Sequence, residues 1–350
     1  HKLFSPYTNN LRSTITSCGV CTELFAFNGF GIEQRPYIIN RAEDLIKLSR
    51  LSNDEKTAYA YSSSYYLQKS DIDLNNIQFT PICKTSKYGK DGSLPHFSGH
   101  YNGNYHKIKN IYVSESSKFA GLFGTIYGNG VLENLSVTGQ VNNTDKYSTG
   151  GIVGEIGEDA IVRNCDFTGT VSSSKSAVGG IAGYIWQNGT IENCYHNGEV
   201  SAEGSAGGIV GQIVITSGDY SAVVRNCYSI GEISGTYAGS IVGYTELSDP
   251  YSSVNITIEN CYSLEKYKDD TVSGSYSKYD VASLTRSELK KAAEKLGNPF
   301  ATNLVSSYNN GYPIFKWQLE DAENSRPITI PFAGDGTEYS PYQIETADDV

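Results

Sequence analysis

The feature that most limits what this chain can fold into is an internal repeat. Five segments share one glycine-punctuated pattern: Ala120-Gly-Leu-Phe-Gly124, Gly150-Gly-Ile-Val-Gly154, Gly179-Gly-Ile-Ala-Gly183, Gly207-Gly-Ile-Val-Gly211 and Ala238-Gly-Ser-Ile-Val-Gly243, the last read with one extra residue. Each is followed by a shorter apolar motif: Val131-Leu-Glu-Asn-Leu135, Ile161-Val-Arg-Asn-Cys165, Thr190-Ile-Glu-Asn-Cys194, Val224-Arg-Asn-Cys227 and Ile258-Glu-Asn-Cys261. The last glycine of the first motif recurs at spacings of 30, 29, 28 and 32 residues. One such unit cannot bury its apolar face alone, but stacked units can. Helical repeats of similar period need a helical pattern, which these units lack, and a propeller blade needs about 40 residues. The expected fold is all-β: a parallel β-helix (β-solenoid) of coils about 30 residues long with small helical caps, its strands about 4.8 Å apart along the axis.

The second motif also predicts a corner. Ile191 and Cys194 are both apolar, yet strand alternation would set them on opposite faces. A bend at the intervening Asn removes the conflict, because Asn tolerates left-handed backbone and bonds locally. Asn134, Asn164, Asn193, Asn226 and Asn260 are therefore expected to stack as a ladder at one corner. Leu135, Cys165, Cys194, Cys227 and Cys261 then form an inward column. Outside, Glu133, Arg163, Glu192, Arg225 and Glu259 alternate in sign, so neighbouring coils present opposite charges.

Around the coils, Asn40–Ser49 carries Ala42, Leu45 and Leu48 at helical spacing, continued by Leu51, with an Asn-x-x-Glu start. Tyr65–Leu74 alternates like a strand, and an Asn-Gly turn precedes Ile108 and Ile111. Thr285 and Glu288 form a capping box opening a helix over 285–296 that Gly297 stops. These marks divide the chain into an N-terminal extension (1–27), an entry region (28–95), the solenoid (96–265), a C-terminal end cap (266–318), and a linker with the start of a second module (319–350). That last reading rests on a longer period. Gly29, Glu33, Pro36, Tyr37 and Ile39 recur 305 positions on as Gly334, Glu338, Pro341, Tyr342 and Ile344. His at position 1 and the absence of Met fit a processed or truncated piece.

These motifs resemble the GLUG motif of bacterial cell-surface proteins, including adhesins and IgA-peptidase-like proteins. The segments Tyr66–Leu74, Phe97–His106 and Asn310–Gln318 resemble the entry and exit segments of such modules. The resemblance spans roughly residues 28–350 and carries over no catalytic residue. It implies an extracellular module of a larger protein, not itself catalytic.

Other chemistry is sparse. His96, His100 and His106 sit close in sequence, but their spacing is no zinc signature. Cys18-Gly-Val-Cys21 lacks both the βαβ context of a redox site and the second pair of a zinc site. The four repeat cysteines read as core packing, with a metal or disulfide ladder as the other option. Asp71, Asp73, Asp348 and Asp349 read as solvated carboxylates rather than calcium ligands. No clustered Asp with Lys or Arg of the pectin-enzyme kind is visible, nor a serine-hydrolase, zinc-protease or phosphate-loop motif. No cofactor is implied. A net charge of −11 argues against nucleic-acid partners, and no apolar run is long enough for a membrane span. The expected function is a structural or adhesive module of a large secreted or surface-anchored protein, its partners being neighbouring copies or modules of the same protein, packed head to tail into a stalk or filament, and host or cell-surface glycans or proteins. The alternative is a glycan-binding or glycan-cleaving β-helix, favoured by 27 tyrosines.

Overall fold

A computed structural model of the chain describes residues 27–84, 96–115, 118–144, 147–174, 177–215, 220–247, 255–264, 273–274 and 278–325. Cys18, Cys21, Asp348, Asp349 and the second-module segment lie outside these residues. The chain winds into a β-solenoid of about seven turns. Each central coil contributes a strand to three faces in turn. The narrow face stacks Phe119–Ala120, Ser148–Gly150, Val178–Gly179, Ser205–Gly207 and Tyr237–Gly239. The middle face stacks Phe123–Ile126, Val153–Gly157, Ala182–Trp186, Val210–Ile215 and Val242–Leu247. The wide face begins its central stack with His100–Glu115, Val131–Asn143 and Ile161–Ser173, and continues in shorter strands to Asn255–Leu264. Pairing between coils is parallel throughout these stacks, and it is in register except between His100–Glu115 and Val131–Asn143, where it shifts between Asn102 and His106 and between Ile108 and Ile111.

The interior is a continuous apolar column, with Ile152, Ile156, Val162, Val171, Ile181, Ile185, Ile191 and Val200 essentially without solvent contact. The register corrects one detail of the repeat. Gly239 pairs with Gly207 and Val242 with Val210, so Ser240 stands where the other coils have their second glycine and nothing is inserted. The shorter copy is the first, where Ala120 pairs with Thr149 and Phe123 with Val153, leaving one residue fewer between them.

The solenoid is longer than residues 96–265. Tyr37–Ile39 pairs in parallel with Tyr65–Gln68, which pairs with His100–Glu115. At the other end Lys278–Leu284 adds a further parallel strand to Asn255–Leu264. These strands lack the glycine motif, which marks a bend rather than strand pairing itself. The helix Ala42–Ser52 covers the entry end with Leu45, Leu48 and Leu51 buried. Its N-cap is Arg41 without a side-chain cap bond, and Asn40 instead donates its backbone N–H to Asp44 at 3.1 Å. The stretch 65–74 is two strands, Tyr65–Gln68 and Ile72–Asp73, rather than one. The Asn-Gly element is no hairpin turn: Asn104 and Tyr105 are left-handed within the long strand His100–Glu115.

The predicted C-terminal helix is two short ones, Arg286–Lys290 and Ala293–Leu296, the first opened by the Thr285–Glu288 capping box. Both touch the last long strands. From Asn298 the chain then runs back along the side of the solenoid, where a cap confined to the end was expected. Leu319–Asn324 forms a helix within this strap, with Ala322 buried and Asp321 paired to Lys107, so these residues are not linker.

Candidate functional site

The five corner asparagines all adopt left-handed backbone, with φ between 52° and 55°. Each side-chain amide donates to the carbonyl oxygen of the Asn one coil before it: Asn164 to Asn134 at 2.9 Å, Asn193 to Asn164 at 3.1 Å, Asn226 to Asn193 at 3.0 Å and Asn260 to Asn226 at 2.7 Å. Asn134 extends the ladder back to Asn102 at 3.3 Å, a member the repeat did not announce. Beside it, Cys165, Cys194, Cys227 and Cys261 are buried free thiols in line with Leu135. Cys165 and Cys227 donate their S–H to the carbonyls of Arg163 and Arg225, each at 3.1 Å. Burial pushes all four thiols up, far from the reactive thiolate. Of the alternating charges, Arg163 pairs with Glu133 at 2.7 Å, and Arg225 Nε donates to Glu192 at 2.8 Å. Burial raises the Glu133 carboxyl, but His100 and Arg163 outweigh it and hold the group below its ordinary range.

A second corner, not anticipated, lies four residues beyond the inward column. Gly139, Gly169 and Gly198 have φ of 144°, 150° and 151°, and a Cβ on Gly169 would stand 1.9 Å from the Gly139 carbonyl oxygen. The repeated Gly at this offset was the available signal. Inside this bend Phe167 and His196 stack at 6.2 Å and 11°. Among the described residues neither His196 ring nitrogen has a hydrogen-bond partner, and burial drives its pKa down to about 4 against an opposing effect of the Gly169 backbone.

The three sequence-neighbouring histidines do not converge. His100 binds Glu133 at 2.9 Å, His106 faces Asp71 at 3.4 Å, and His96 packs on the Tyr127 ring. Asp71 binds Lys109 at 3.0 Å, and Asp73 accepts from Asn75 and Asn110. Among the described residues no group of three His, Cys, Asp or Glu side chains is placed to hold a metal.

The repeat does build a concave surface. At the glycine motif the narrow and middle strands meet at backbone contact: a Cβ on Gly183 would lie 2.4 Å from the Thr149 nitrogen of the coil before. Side chains flanking this crease line a groove of about 690 Å³ that spans five coils, from Phe119 to Tyr244. One wall is the row Phe119, Ser148, Ala177, Ser205, Tyr237. The other includes the row Glu155, Tyr184, Gln212, Tyr244. Tyr184 stacks with Trp186 at 6.3 Å, Tyr237 packs on Tyr244 at 5.1 Å, and the Lys118 ammonium sits 4.7 Å above the Tyr147 ring. Tyr127 donates its hydroxyl to Glu155. Burial raises the Glu155 carboxyl, with that hydroxyl opposing, and burial beside Glu155 raises the Tyr127 hydroxyl.

The opposite flank is covered rather than open. Lys107, Ser136, Asp166, Tyr195, Tyr228 and Tyr262 form an outward column, one residue past the inward one. The strap buries its centre. Gln318 donates to Asp166 at 2.9 Å and accepts from the Tyr195 hydroxyl at 3.0 Å, and Ser136 donates to the other Asp166 oxygen at 2.9 Å. Tyr195 and Tyr228 stack at 5.0 Å beneath Phe315 and Phe300. Burial pushes the Asp166 carboxyl up to about 7 despite these donors. Tyr66, Tyr101, Tyr195 and Tyr228 are among the largest fully buried side chains, so the tyrosine content is partly core.

Comparison with known proteins agrees with this architecture. The chain carries GLUG motif repeats: the model for "The GLUG motif" matches residues 146–172 and 175–201. Halomucin of Haloquadratum walsbyi is 33% identical over 245 residues, which make up 67% of this chain and 2% of Halomucin. A "Putative Gly-rich membrane protein" of Evansella cellulosilytica is 30% identical over 112 residues, 32% of this chain and 12% of that protein. The chain thus spans a small fraction of these curated relatives. A crystal structure of "a putative immunoglobulin A1 protease from Bacteroides ovatus" shares the fold, with a TM-score of 0.56 over 83% of this chain and 94% of that one, at 21% identity.

Proposed function

We propose that this GLUG-repeat chain is a non-catalytic structural and adhesive module of a large secreted or surface-anchored protein. One observation carries the reading: the residues that define the repeat are taken up by coil-to-coil contacts. The asparagines bind each other, the cysteines fill the interior, and the glycines allow backbones to touch. A repeat built this way maintains a stiff stack, and the outward positions are left free to differ between coils. The names Halomucin and Gly-rich membrane protein fit a surface setting. Among the described residues no helix is long and apolar enough to cross a membrane. The 305-residue period further supports modules joined head to tail into a stalk or filament, since heterologous contacts of that kind do not close.

The test is to incubate the purified chain with immunoglobulin A1 and with neutral and acidic polysaccharides, reading peptide fragments and reducing ends. No product is expected. Product release that disappears on replacing a single carboxylate overturns the non-catalytic reading. Electron microscopy of the native protein should show rods, and isolated compact particles overturn the array.

A further inference from the structure

We propose that the groove along the glycine creases binds an extended, neutral glycan. The proposal rests on the adhesive reading above and names its ligand class. Its basis is the order in which ring and polar side chains line the groove. In the two facing rows, aromatic rings occur on the first, third and fifth of the five coils: Phe119, which is buried against the exposed Tyr147 ring and Lys118, then Tyr184, then Tyr237 with Tyr244. The second and fourth coils put polar groups at the same positions: Ser148 with Glu155, and Ser205 with Gln212. Parallel strands stack about 4.8 Å apart, so Tyr184 and the Tyr237–Tyr244 pair, two coils apart, stand about 10 Å from one another with Ser205 and Gln212 between them. A linear glycan presents apolar sugar faces and hydroxyl edges in regular succession along an extended chain. Aromatic rings suit the faces, and a few placed polar groups suit the hydroxyls.

Two observations separate this ligand from other extended polymers. The backbone N–H and C=O groups of the lining strands are engaged in pairing between coils, so an extended peptide finds no free strand edge to add to. Among the described residues the lining holds one carboxylate, Glu155, and one ammonium, Lys118, which already rests on the Phe119 and Tyr147 rings. Glu158 and Glu246 stand exposed beside Tyr127 and Tyr184. Acidic polymers therefore meet like charge at the rim and a net charge of −11 overall.

The experiment is native gel electrophoresis of the full chain through gels containing xylan, galactomannan, hydroxyethylcellulose, or polygalacturonate, with a polyproline peptide as a separate competitor. At least one neutral polymer should retard the protein, and polygalacturonate should not. Tyr184→Ala and, independently, Tyr237→Ala should weaken retardation about tenfold each through lost ring contact. Tyr59→Ala, exposed on the short helix Ala58–Ser62 of the entry region, should leave retardation unchanged. Because Tyr237 is 47% exposed, its variant should keep the wild-type melting temperature, so lost binding is not lost folding. No retardation by any neutral polymer, preference for polygalacturonate, displacement by the peptide, or unaltered binding by both variants overturns the glycan site and leaves the structural reading standing. Reducing ends appearing in the same gels overturn the non-catalytic reading instead.

Discussion

Two buried titratable groups on adjacent coils should oppose each other in the pH dependence of stability. Asp166, under the strap, has its carboxyl pushed from 3.8 to about 7 by burial. A raised carboxyl holds more protons folded than unfolded between those values, so its contribution falls as pH rises from 3.8 to about 7 and is level above. At about 1.4 kcal/mol per pH unit, that loss is about 4 kcal/mol. His196 in the core is shifted from 6.5 to about 4. It binds fewer protons folded than unfolded in that window, so its contribution rises with pH there, by about 3 kcal/mol. Between pH 4 and 6.5 the two slopes nearly cancel. The groups around Asp166 are Lys107, Tyr195, Tyr228 and Tyr308, with Asp321 paired to Lys107. Urea midpoints read by tryptophan fluorescence, which includes Trp317 in the strap, should show three profiles. Asp166→Asn gains stability as pH rises from 4 to 6.5, His196→Phe loses stability from pH 4 to 7, and the double variant follows the wild-type slope up to pH 6.5. Differences from wild type remove other carboxylates from the comparison. If the difference between wild type and Asp166→Asn is flat across pH 4 to 7, the carboxyl is not held protonated by the strap and the reasoning fails.

Two further outcomes test the columns. Asn193→Ala loses ladder bonds on both sides and puts alanine, which tolerates left-handed backbone less well than Asn, at φ 53°, for a total of roughly 2–3 kcal/mol, while Asn193→Gly takes that backbone without strain and should cost less in a urea titration. Cys194→Ala should cost about 1–2 kcal/mol through a small cavity, and Cys165, Cys194 and Cys227 should react with a thiol reagent only on unfolding. Fast labelling of the folded chain would place that column in solvent.

How much of this was legible in the chain depends on distance along it. The solenoid follows from the repeat alone, because a 30-residue unit with no helical pattern has few ways to bury itself. The asparagine corner follows from a local conflict between Ile191 and Cys194. The glycine corner at Gly169 carries a signal of the same kind, but a faint one, since glycine in a strand reads first as a weakness. The strap was not legible: Gln318 and Asp166 are 152 residues apart, and neither belongs to a pattern. The groove was legible only as composition. Its rings do not recur at the same position in each coil, so a comparison of repeats averages them away.

That variation follows from which positions the stacking constrains. Within a coil, the positions facing inward or lying at a corner are constrained by the coil above and the coil below: a Cβ at Gly183 meets backbone atoms of the preceding coil, and an Asn without its neighbour leaves a buried amide without its ladder bond. Such positions change only with their whole column, so they recur every coil and define the motif. Tyr184, Gln212 and Tyr244 occupy one outward row on successive coils, yet their neighbours in the row place no such demand on their identity. The glycines that fold each coil sharply enough to bring two strands together thereby also form the crease in which those unconstrained residues face one another. A surface capable of recognition thus arises from the stacking rule itself, and what it recognises is set by the residues the motif leaves unspecified.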